Sequence, residues 1–267
     1  MGRRYQKDVR VNVAILGCGP SGLIAAHAAV TKGHDVVILS RRVRSETFGA
    51  MYLHEPIPGI SQGKPELMIE VSKTGTKWGY AENVYGNREA PVSWDKFEPG
   101  PTPGWNLKSA YNELWGMYSD RIVHADLTPE RVGELQYDRI FNTVPARAIC
   151  LDWTHHFESV KIIVVHGPST ATDNTMWYNG SDYPGAPNWY RHSVINGYES
   201  WEFSERRAPL KIPTAELARG LRVSAGIKPI STDCDCHPRV FRLGRFGRWN
   251  KNVFTHHAYQ EVVDALH

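Results

Sequence analysis

The chain of 267 residues lacks the features that mark several large classes of protein. It has no apolar run of the roughly 18–20 residues that a membrane-spanning helix needs, and its charged start, Met1-Gly2-Arg3-Arg4, is unlike a secretory signal. Its four cysteines are too few and too irregularly spaced for a disulfide framework. Neither sign of charge predominates, because 31 Lys and Arg against 28 Asp and Glu leave a net charge of only +3. We therefore expect a cytoplasmic protein with no membrane partner, and the charge by itself does not argue for nucleic acid.

The remaining composition is that of a globular protein rich in aromatic and turn residues. Hydrophobic residues make up 41% and charged residues 22%, which excludes disordered and fibrous classes. The 9 Trp, 12 Tyr, 23 Gly and 17 Pro suit either a protein that wraps a flat ligand or a loop-rich core. The length, about twice that of a typical domain, predicts one large domain or a domain with a grafted subdomain.

The first forty residues have the pattern of a βαβ unit. An apolar run over residues 11–16 predicts a buried parallel strand. An alanine-rich stretch over 21–32 that ends at Gly33 predicts a helix, and residues 36–39 predict a second buried strand. Further along, the pattern predicts helices over 107–118, 213–222 and 255–266, strands over 121–124, 139–142 and 161–166, and sheet with loops over 170–207.

A glycine-rich turn joins the first strand to the first helix. Residues 17–22, Gly-Cys-Gly-Pro-Ser-Gly, fit the pattern G-x-G-x-x-G. Gly17 permits a tight turn, Gly19 lets a pyrophosphate approach the backbone, and Gly22 lets the helix pack closely. The helix N-terminus then offers free N–H groups to the phosphates. In this βαβ context the turn predicts dinucleotide binding, and a glycine turn without a ligand is the alternative.

The end of the second strand leaves the choice of dinucleotide open. An Asp or Glu is expected there to hold the ribose hydroxyls, but this chain has Ser40 followed by Arg41 and Arg42. A serine can still bond a ribose hydroxyl, whereas the two arginines suit the 2′-phosphate of NADP. FAD and NADP therefore compete on these residues alone.

Three further segments resemble a flavoprotein superfamily. Residues 41–51 are similar to the stretch after the second strand, with Gly49-Ala50 where the family usually has a glycine pair over the FAD pyrophosphate. Residues 137–145 are similar to a strand that ends in a Thr-x-Pro crossover. Residues 243–249 and 257–262 resemble a closing Gly-Arg motif and last helix. The superfamily includes amine oxidases and UDP-galactopyranose mutases, and its FAD domain resembles that of glutathione reductase.

The resemblance implies FAD as the cofactor, with NADP as the alternative, and an α/β fold. A Rossmann-like FAD-binding domain would be formed by residues 1–50, 107–150 and 237–267, and an inserted sheet-rich substrate subdomain by 51–106 and 151–236. The residues expected to bind the cofactor are Gly17, Gly19, Pro20, Ser21, Gly22, Ser40, Arg41, Arg42, Gly49, Pro145, Gly244, Arg245, Trp249, His257 and Ala258.

Three residues are candidates for catalysis. Residues 188–193 resemble the segment of the mutases in which a Tyr-x-Arg pattern lies near the flavin, so Arg191 is expected to fix an anionic substrate group; a salt bridge on a sheet face is the alternative. His54 follows the region that would cover the flavin ring, where an imidazole can move protons. His237 closes the run Cys234-Asp235-Cys236-His237. That run suits zinc, a redox-active cysteine pair or an ordinary turn below the flavin, and we assign no metal ligand from it.

The resemblance of the three segments implies an FAD-dependent oxidoreductase that acts on a C–N or C–O bond of a polar substrate, with hydride passing to flavin N5. A competing reading is mutase-like chemistry, in which reduced flavin is a nucleophile toward a sugar nucleotide. A third is a flavoenzyme that modifies a nucleobase in DNA, since small flavoproteins of this kind occur in bacteriophage gene clusters and segments 177–190 and 239–248 suit a flipped base. An NADP-binding reductase and a nucleotide-sensing scaffold also fit the pattern. The expected partner is a small-molecule or nucleotide-type substrate.

Overall fold

A computed structural model of the chain describes residues 10–41, 44, 46–61, 64–92, 94–96, 98–208 and 220–267. In chain order its strands and helices are β1 (Asn12–Leu16), α1 (Pro20–Thr31), β2 (Asp35–Ser40), β3 (Tyr52–Leu53), β4 (Leu67–Gly75), α2 (Lys77–Tyr85), β5 (Gly100–Asn106), α3 (Leu107–Tyr118), β6 (Ile122–His124), α4 (Pro129–Glu134), β7 (Arg139–Asn142), β8 (Phe157–Pro168), β9 (Thr175–Gly180), β10 (Arg191–Ile195), β11 (Tyr198–Ser204), β12 (Arg222–Thr232), β13 (Val240–Arg242), α5 (Gly244–Gly247) and α6 (His257–Leu266). Short 3-10 helices occupy Trp94–Lys96, Ser119–Arg121, Ala146–Ile149 and Glu205–Arg207.

Five strands form a parallel sheet in the order β13-β7-β1-β2-β6. Its central strand β1 is buried on both faces, which is why its sequence is a continuous apolar run. Helix α1 packs on one face together with α3 and α6, and its four alanines between residues 25 and 29 allow close approach. The opposite face is covered by residues near α4, including the buried Val132.

The other eight strands form a second sheet in the order β12-β8-β11-β10-β9-β4-β5-β3. All neighbouring pairs are antiparallel except β4 and β9. A separate apolar core lies between this sheet and α2 and includes the fully buried Ile69 and Tyr190. The chain first enters this sheet with β3, β4 and β5 and returns to the first sheet with β6 and β7. It then crosses to the second sheet again through residues 143–156, the first crossover segment, and returns through residues 233–239, the second crossover segment.

The α/β fold class expected from the sequence is confirmed. The strand and helix of the βαβ unit and the helix over 107–118 lie where they were predicted, to within one or two residues. The predicted helix over 213–222 falls mostly outside the described residues, and Arg222 begins strand β12. The two-domain boundaries remain a prediction, although the strands of each sheet fall within the segments assigned to each domain. Among the described residues, no helix is long and apolar enough to cross a membrane.

Helix α2 and strands β4 and β5 were not predicted. Two local signals mark α2: Thr76 caps its first turn by accepting a hydrogen bond from the N–H of Gly79, and Gly86 ends it in the left-handed conformation. Pro101 and Pro103 hid β5, because proline is rare in strands. The neighbouring strand β3 pairs only with the last two residues of β5, so these prolines lie on a free edge where their missing N–H groups cost little.

Candidate active site

A cavity of about 670 Å³ runs between the two sheets. At one end it is lined by the glycine-rich turn and by Ser40 and Arg41 at the end of β2. At the other end it is lined by Arg191, Glu202 and Lys228 on the second sheet. Its volume is in the range of sites that bury a small molecule or cofactor.

The glycine-rich turn is built so that the backbone itself lines the cavity. Gly17 has φ of +99°, a conformation that favours glycine. A Cβ atom there would lie only 2.8 Å from Oγ1 of Thr143, whose hydroxyl donates to the carbonyl of Leu16 at 2.8 Å. A Cβ on Gly22 would collide with the carbonyl of Gly17, so Gly22 serves the close packing of α1 rather than the cavity wall.

The N-terminus of α1 faces the same cavity. Gly19 is its N-cap, and no side chain caps the first turn. The first N–H groups of a helix have no partner within the helix and carry the positive end of its dipole, so they suit a phosphate. Gly244 lies against this turn, since a Cβ there would be 2.7 Å from Oγ of Ser21. This contact brings the C-terminal Gly-Arg segment beside the start of α1.

The end of β2 supports the turn from below. Ser40 is buried, and its hydroxyl oxygen accepts a hydrogen bond from Sγ of Cys18 at 3.2 Å. The hydroxyl of Tyr111 donates a hydrogen bond to the carbonyl of Cys18 at 2.9 Å. Arg41 lies at the cavity rim and within 3.6 Å of the exposed Asp126. Arg42, the second arginine of this expected cofactor contact, lies outside the described residues.

A buried ion pair forms the opposite wall of the cavity. Arg191 on β10 and Glu202 on β11 are directly opposite each other in the sheet register. Nε of Arg191 donates to Oε1 of Glu202 at 2.8 Å, Nη2 makes a second contact with the same oxygen, and the hydroxyl of Tyr190 donates to Oε2 at 2.7 Å. Burial opposes ionisation of Glu202, but the charges of Arg191 and then Lys228 outweigh it and hold its pKa below the usual range. Arg191 therefore forms a salt bridge within the sheet and also lines the cavity, so both features expected from the sequence are present in one side chain.

Two further cations face this pair. Burial first, and then the charge of Arg191, lowers the pKa of Lys228 to about 7. Its Nζ lies 4.4 Å from the centre of the Tyr190 ring. Burial and the charge of Arg191 also lower the pKa of Arg245, although a guanidinium remains charged at neutral pH. With Glu202 committed to Arg191, the described groups at this end leave an excess of positive charge, which suits an anionic ligand.

His54 lies on the cavity wall within a group of aromatic rings. Its ring centre is 4.6 Å from that of Tyr52 and 4.7 Å from that of Phe254. Burial, followed by the nearby His256, lowers the pKa of His54 to about 4, and the pKa of His256 is lowered to about 4 for similar reasons. Both imidazoles are therefore neutral at pH 7 and can accept a proton but do not carry a charge.

Several expected site residues lie away from the cavity wall. Trp249 is fully buried, and its indole N–H donates to the carbonyl of Glu158 at 2.8 Å. Ala258 is packed in the core of the first sheet. His257 makes ring contacts with Phe254 and His256, which themselves line the cavity. The residues from the expected cofactor set that line the cavity are Gly17, Gly19, Pro20, Ser21, Ser40, Arg41, Gly49, Pro145 and Arg245.

His237 is also away from the cavity, because its Nε2 is bonded to the carbonyl of Ile149 at 2.6 Å and the residue is buried. This contact gives it a structural role between the two crossover segments, and the catalytic role expected for it has no support in the geometry.

Sequence reasoning missed Glu202 and Lys228 as wall residues, whereas Tyr178, which also lines the cavity, belongs to the aromatic segment 177–190 that was expected to stack on a ring. In the sheet register Arg191 is paired with both Glu202 and Tyr178, so recognising the neighbouring strands would have found Glu202. Lys228 has no such local signal, because a lysine in a half-exposed strand is ordinary.

Comparison with known proteins supports the fold. No protein-family model matches the sequence, and no curated protein matches it. Among solved structures, 2-methyl-3-hydroxypyridine-5-carboxylic acid oxygenase in its tetrameric form is similar with a TM-score of 0.53 and 14% identity, covering 96% of this chain and 81% of that one. A variant of HpxO from Klebsiella pneumoniae in complex with FAD has a TM-score of 0.51 and 13% identity, covering 95% and 80%. The peptidyl tryptophan dihydroxylase QhpG has a TM-score of 0.52 and 12% identity, covering 97% and 66%. At these identities the comparisons establish that the chain has the fold of these enzymes.

Proposed function

We propose that this chain is an FAD-dependent oxidoreductase that acts in the cytoplasm on a small, polar, anionic substrate. The observation that carries the proposal is the cavity that joins the glycine-rich turn of the first sheet to the cationic wall of the second. A dinucleotide bound at the turn would extend along this cavity toward Arg191, Lys228 and Arg245. The FAD complex of HpxO, a protein of the same fold, supports FAD over NADP.

The residues present fit FAD at the phosphate end. The positive φ and tight surroundings of Gly17 allow the sharp turn, and Gly19 lets the pyrophosphate approach the backbone. The start of α1 supplies N–H groups that no side chain caps. Ser40 would bond the ribose in place of the usual acid. When bound, FAD supplies two-electron redox chemistry at its ring system.

The chain's own residues supply binding and orientation. Arg191 is held rigidly by Glu202, so it can fix a substrate carboxylate or phenolate without losing much conformational freedom. Lys228, with its pKa near 7, can bind the anion in its protonated form or accept a proton in its neutral form. Because its pKa is lowered to about 4, His54 is neutral and a weak base at pH 7, so its role would be to hydrogen-bond and orient the substrate.

Two reaction types share this architecture. Oxidation of a C–N or C–O bond is the expectation from the sequence. Oxygenation of a ring is the second candidate, and it is favoured by the names of the structural neighbours, two of which are described as an oxygenase and a dihydroxylase. The cationic, tyrosine-rich wall fits an anionic substrate in either reaction, and an aromatic one for the oxygenation.

Modification of DNA and mutase-like chemistry receive less support from the geometry. A DNA partner would need available arginines in segment 239–248, but three of its four are engaged: Arg242 contacts Sγ of Cys234, Arg248 pairs with Glu261 at 2.9 Å, and Arg245 lines the cavity. The exposed Arg239 is the fourth. Mutase-like chemistry on a sugar nucleotide is compatible with the cavity and is separated from the oxidoreductase by requiring prior reduction of the flavin.

The first test is the visible spectrum of freshly purified protein and identification of its heat-released chromophore. We expect flavin bands and released FAD. The variant Gly17→Ala places a Cβ atom against Thr143, so its affinity for FAD should be at least about tenfold weaker than that of the wild type. Gly116→Ala is the matched control, since a Cβ at that helical position meets nothing within 4 Å. A colourless wild-type protein that cannot be reconstituted with FAD but binds NADPH would overturn the proposal.

The second test separates the reaction types. Anaerobic mixing with amines, alcohols and aromatic acids should bleach the flavin directly if the enzyme oxidises C–N or C–O bonds. If it is an oxygenase, bleaching should instead require NADH or NADPH, and a hydroxylated product should form only when oxygen is added. Activity that appears only after dithionite reduction, with no net oxidation of the substrate, would indicate the mutase-like reaction.

A further inference from the structure

Four potential metal ligands from distant parts of the sequence meet at one point outside the cavity. They are Cys150 and His155 in the first crossover segment and Cys234 and Cys236 in the second. Cys150 and Cys234 are 84 positions apart in the chain. The sequence run that ends at His237 contains two of these thiols, but no metal ligand was assigned from it, and His237 bonds a backbone carbonyl instead.

The distances among the four ligand atoms match a tetrahedral site. Sγ of Cys150 lies 3.4 Å from Sγ of Cys234 and 3.6 Å from Sγ of Cys236. Nδ1 of His155 lies 3.3 Å from Sγ of Cys150 and 3.4 Å from Sγ of Cys236, and all four atoms are within 4.8 Å of one another. With Zn–S bonds of about 2.3 Å and Zn–N bonds of about 2.0–2.1 Å, the edges of a zinc tetrahedron are roughly 3.5–3.8 Å long.

A disulfide does not explain this cluster. All four cysteines of the chain are free thiols, and the separation of Sγ of Cys150 from Sγ of Cys234 is well beyond the bond length of about 2.05 Å. One disulfide would also leave a third thiol and an imidazole aimed at the same point without a reason.

The surroundings of the cluster suit a thiolate-rich metal centre. The second ring nitrogen of His155, Nε2, lies 3.9 Å from a carboxylate oxygen of Asp235, which is too far for a hydrogen bond but places an acidic side chain beside the imidazole. A guanidinium nitrogen of Arg242 lies 3.4 Å from Sγ of Cys234. Three thiolates and a neutral imidazole around Zn²⁺ would carry one net negative charge, which this arginine offsets.

We propose that Cys150, His155, Cys234 and Cys236 bind one Zn²⁺ in a closed structural site. Four protein ligands leave no open position for a substrate, which is the feature of structural rather than catalytic zinc. None of the four lines the cavity. The metal would join the two crossover segments at the place where the chain leaves the first sheet and returns to it.

Metal content tests the proposal directly. Protein purified without chelators is expected to contain one zinc per chain by plasma mass spectrometry. His155→Ala and Cys236→Ser should lower that content at least about tenfold, and His155→Cys should restore it because a fourth thiolate is an equally good ligand. His156→Ala and Cys18→Ser are the matched controls, since neither residue belongs to the cluster, and both should keep one zinc.

Cobalt substitution of the wild-type protein gives a readout that does not depend on variants folding. Reduced, metal-free protein titrated with Co²⁺ is expected to reach saturation at one equivalent, with the intense visible d–d bands and sulfur-to-metal charge transfer of tetrahedral thiolate ligation. A chelator should lower the Tm of the zinc form. The proposal is overturned by a wild-type protein with neither zinc nor cobalt bands, by a native disulfide between Cys150 and Cys234, or by zinc content that stays unchanged in Cys236→Ser.

Discussion

The buried pair of Arg191 and Glu202 allows one stability prediction to be worked out in detail. We consider Glu202→Gln, which keeps the shape of the side chain and removes its charge. Only 3% of the Glu202 side chain is exposed, against 21% for Arg191. The substitution would therefore leave a guanidinium at the cavity wall that has lost its counter-ion, close to the cations Lys228 and Arg245.

The magnitude follows from the geometry of the pair. At the 2.8 Å separation of Nε and Oε1, an effective dielectric constant of about 20 gives an attraction of roughly 6 kcal/mol. The desolvation of both groups offsets part of this. Removing one partner of a buried pair costs about 3–5 kcal/mol, and water in the cavity that reaches Arg191 argues for the lower end. We therefore expect the free energy of unfolding to fall by about 3 kcal/mol at pH 7.

The pH dependence provides a second, independent readout. Because the folded-state pKa of Glu202 is depressed, its contribution is fully present above its unfolded pKa, near 4.5, and is lost as pH falls through the folded pKa. The difference between wild type and Glu202→Gln should thus be largest near pH 7 and shrink progressively below about pH 4.5.

Urea unfolding followed by circular dichroism, with equal flavin content in both proteins, measures this difference. Glu205→Gln is the matched control, because Glu205 makes an exposed pair with Lys161 at 3.6 Å, and its effect should stay within about 0.5 kcal/mol. A loss below about 1 kcal/mol for Glu202→Gln, or a loss that does not diminish in acid, would refute the reasoning about this pair.

Three further predictions concern single positions. Lys228→Met should weaken binding of an anionic probe such as benzoate about tenfold at pH 6, as measured by perturbation of the flavin spectrum. The affinity of the wild type is expected to fall as pH rises through about 7, and the variant should lose this fall. A wild-type affinity that is flat across this range would contradict the prediction. His54→Gln should leave the shape of the activity profile between about pH 6 and pH 8 unchanged, since the pKa of His54 near 4 keeps it neutral there; loss of an inflection in that range would show otherwise. Trp249→Phe should lower the free energy of unfolding by about 1–2 kcal/mol, because it loses the hydrogen bond from the indole N–H to the carbonyl of Glu158. The spectrum of bound flavin should stay the same. A shifted flavin band would indicate that Trp249 contacts the cofactor.

The phosphate end of the site was accessible from the sequence because its requirements are local. A glycine at positive φ, the first residues of a helix and a serine at a strand end all lie within one βαβ unit. Their spacing alone therefore predicts Gly17, Ser21 and Ser40 as wall residues of one cavity, and all three line it.

The cationic wall was only partly accessible because it depends on long-range pairing. Arg191 was identified, but its pairing with Glu202 depends on the register of β10 against β11. Lys228 lies on β12, which is separated from β11 in the sheet by β8. The proposed zinc ligands show the same limit more strongly. Cys234 and Cys236 stand out in the sequence, whereas Cys150 and His155 join them only because two crossover segments pass side by side.

The position of these segments links the proposed metal centre to the cavity. The first crossover begins with Thr143, Val144 and Pro145, which line the cavity beside the glycine-rich turn, and reaches Cys150 a few residues later. The second leads from Cys236 through β13 to Arg245, which also lines the cavity. A metal that joins the two segments would therefore hold the turn-supporting residues and the cavity arginine at a constant separation. Because the two walls of the cavity come from different sheets, such a cross-link would help to keep the cofactor end and the substrate end at a fixed distance and orientation.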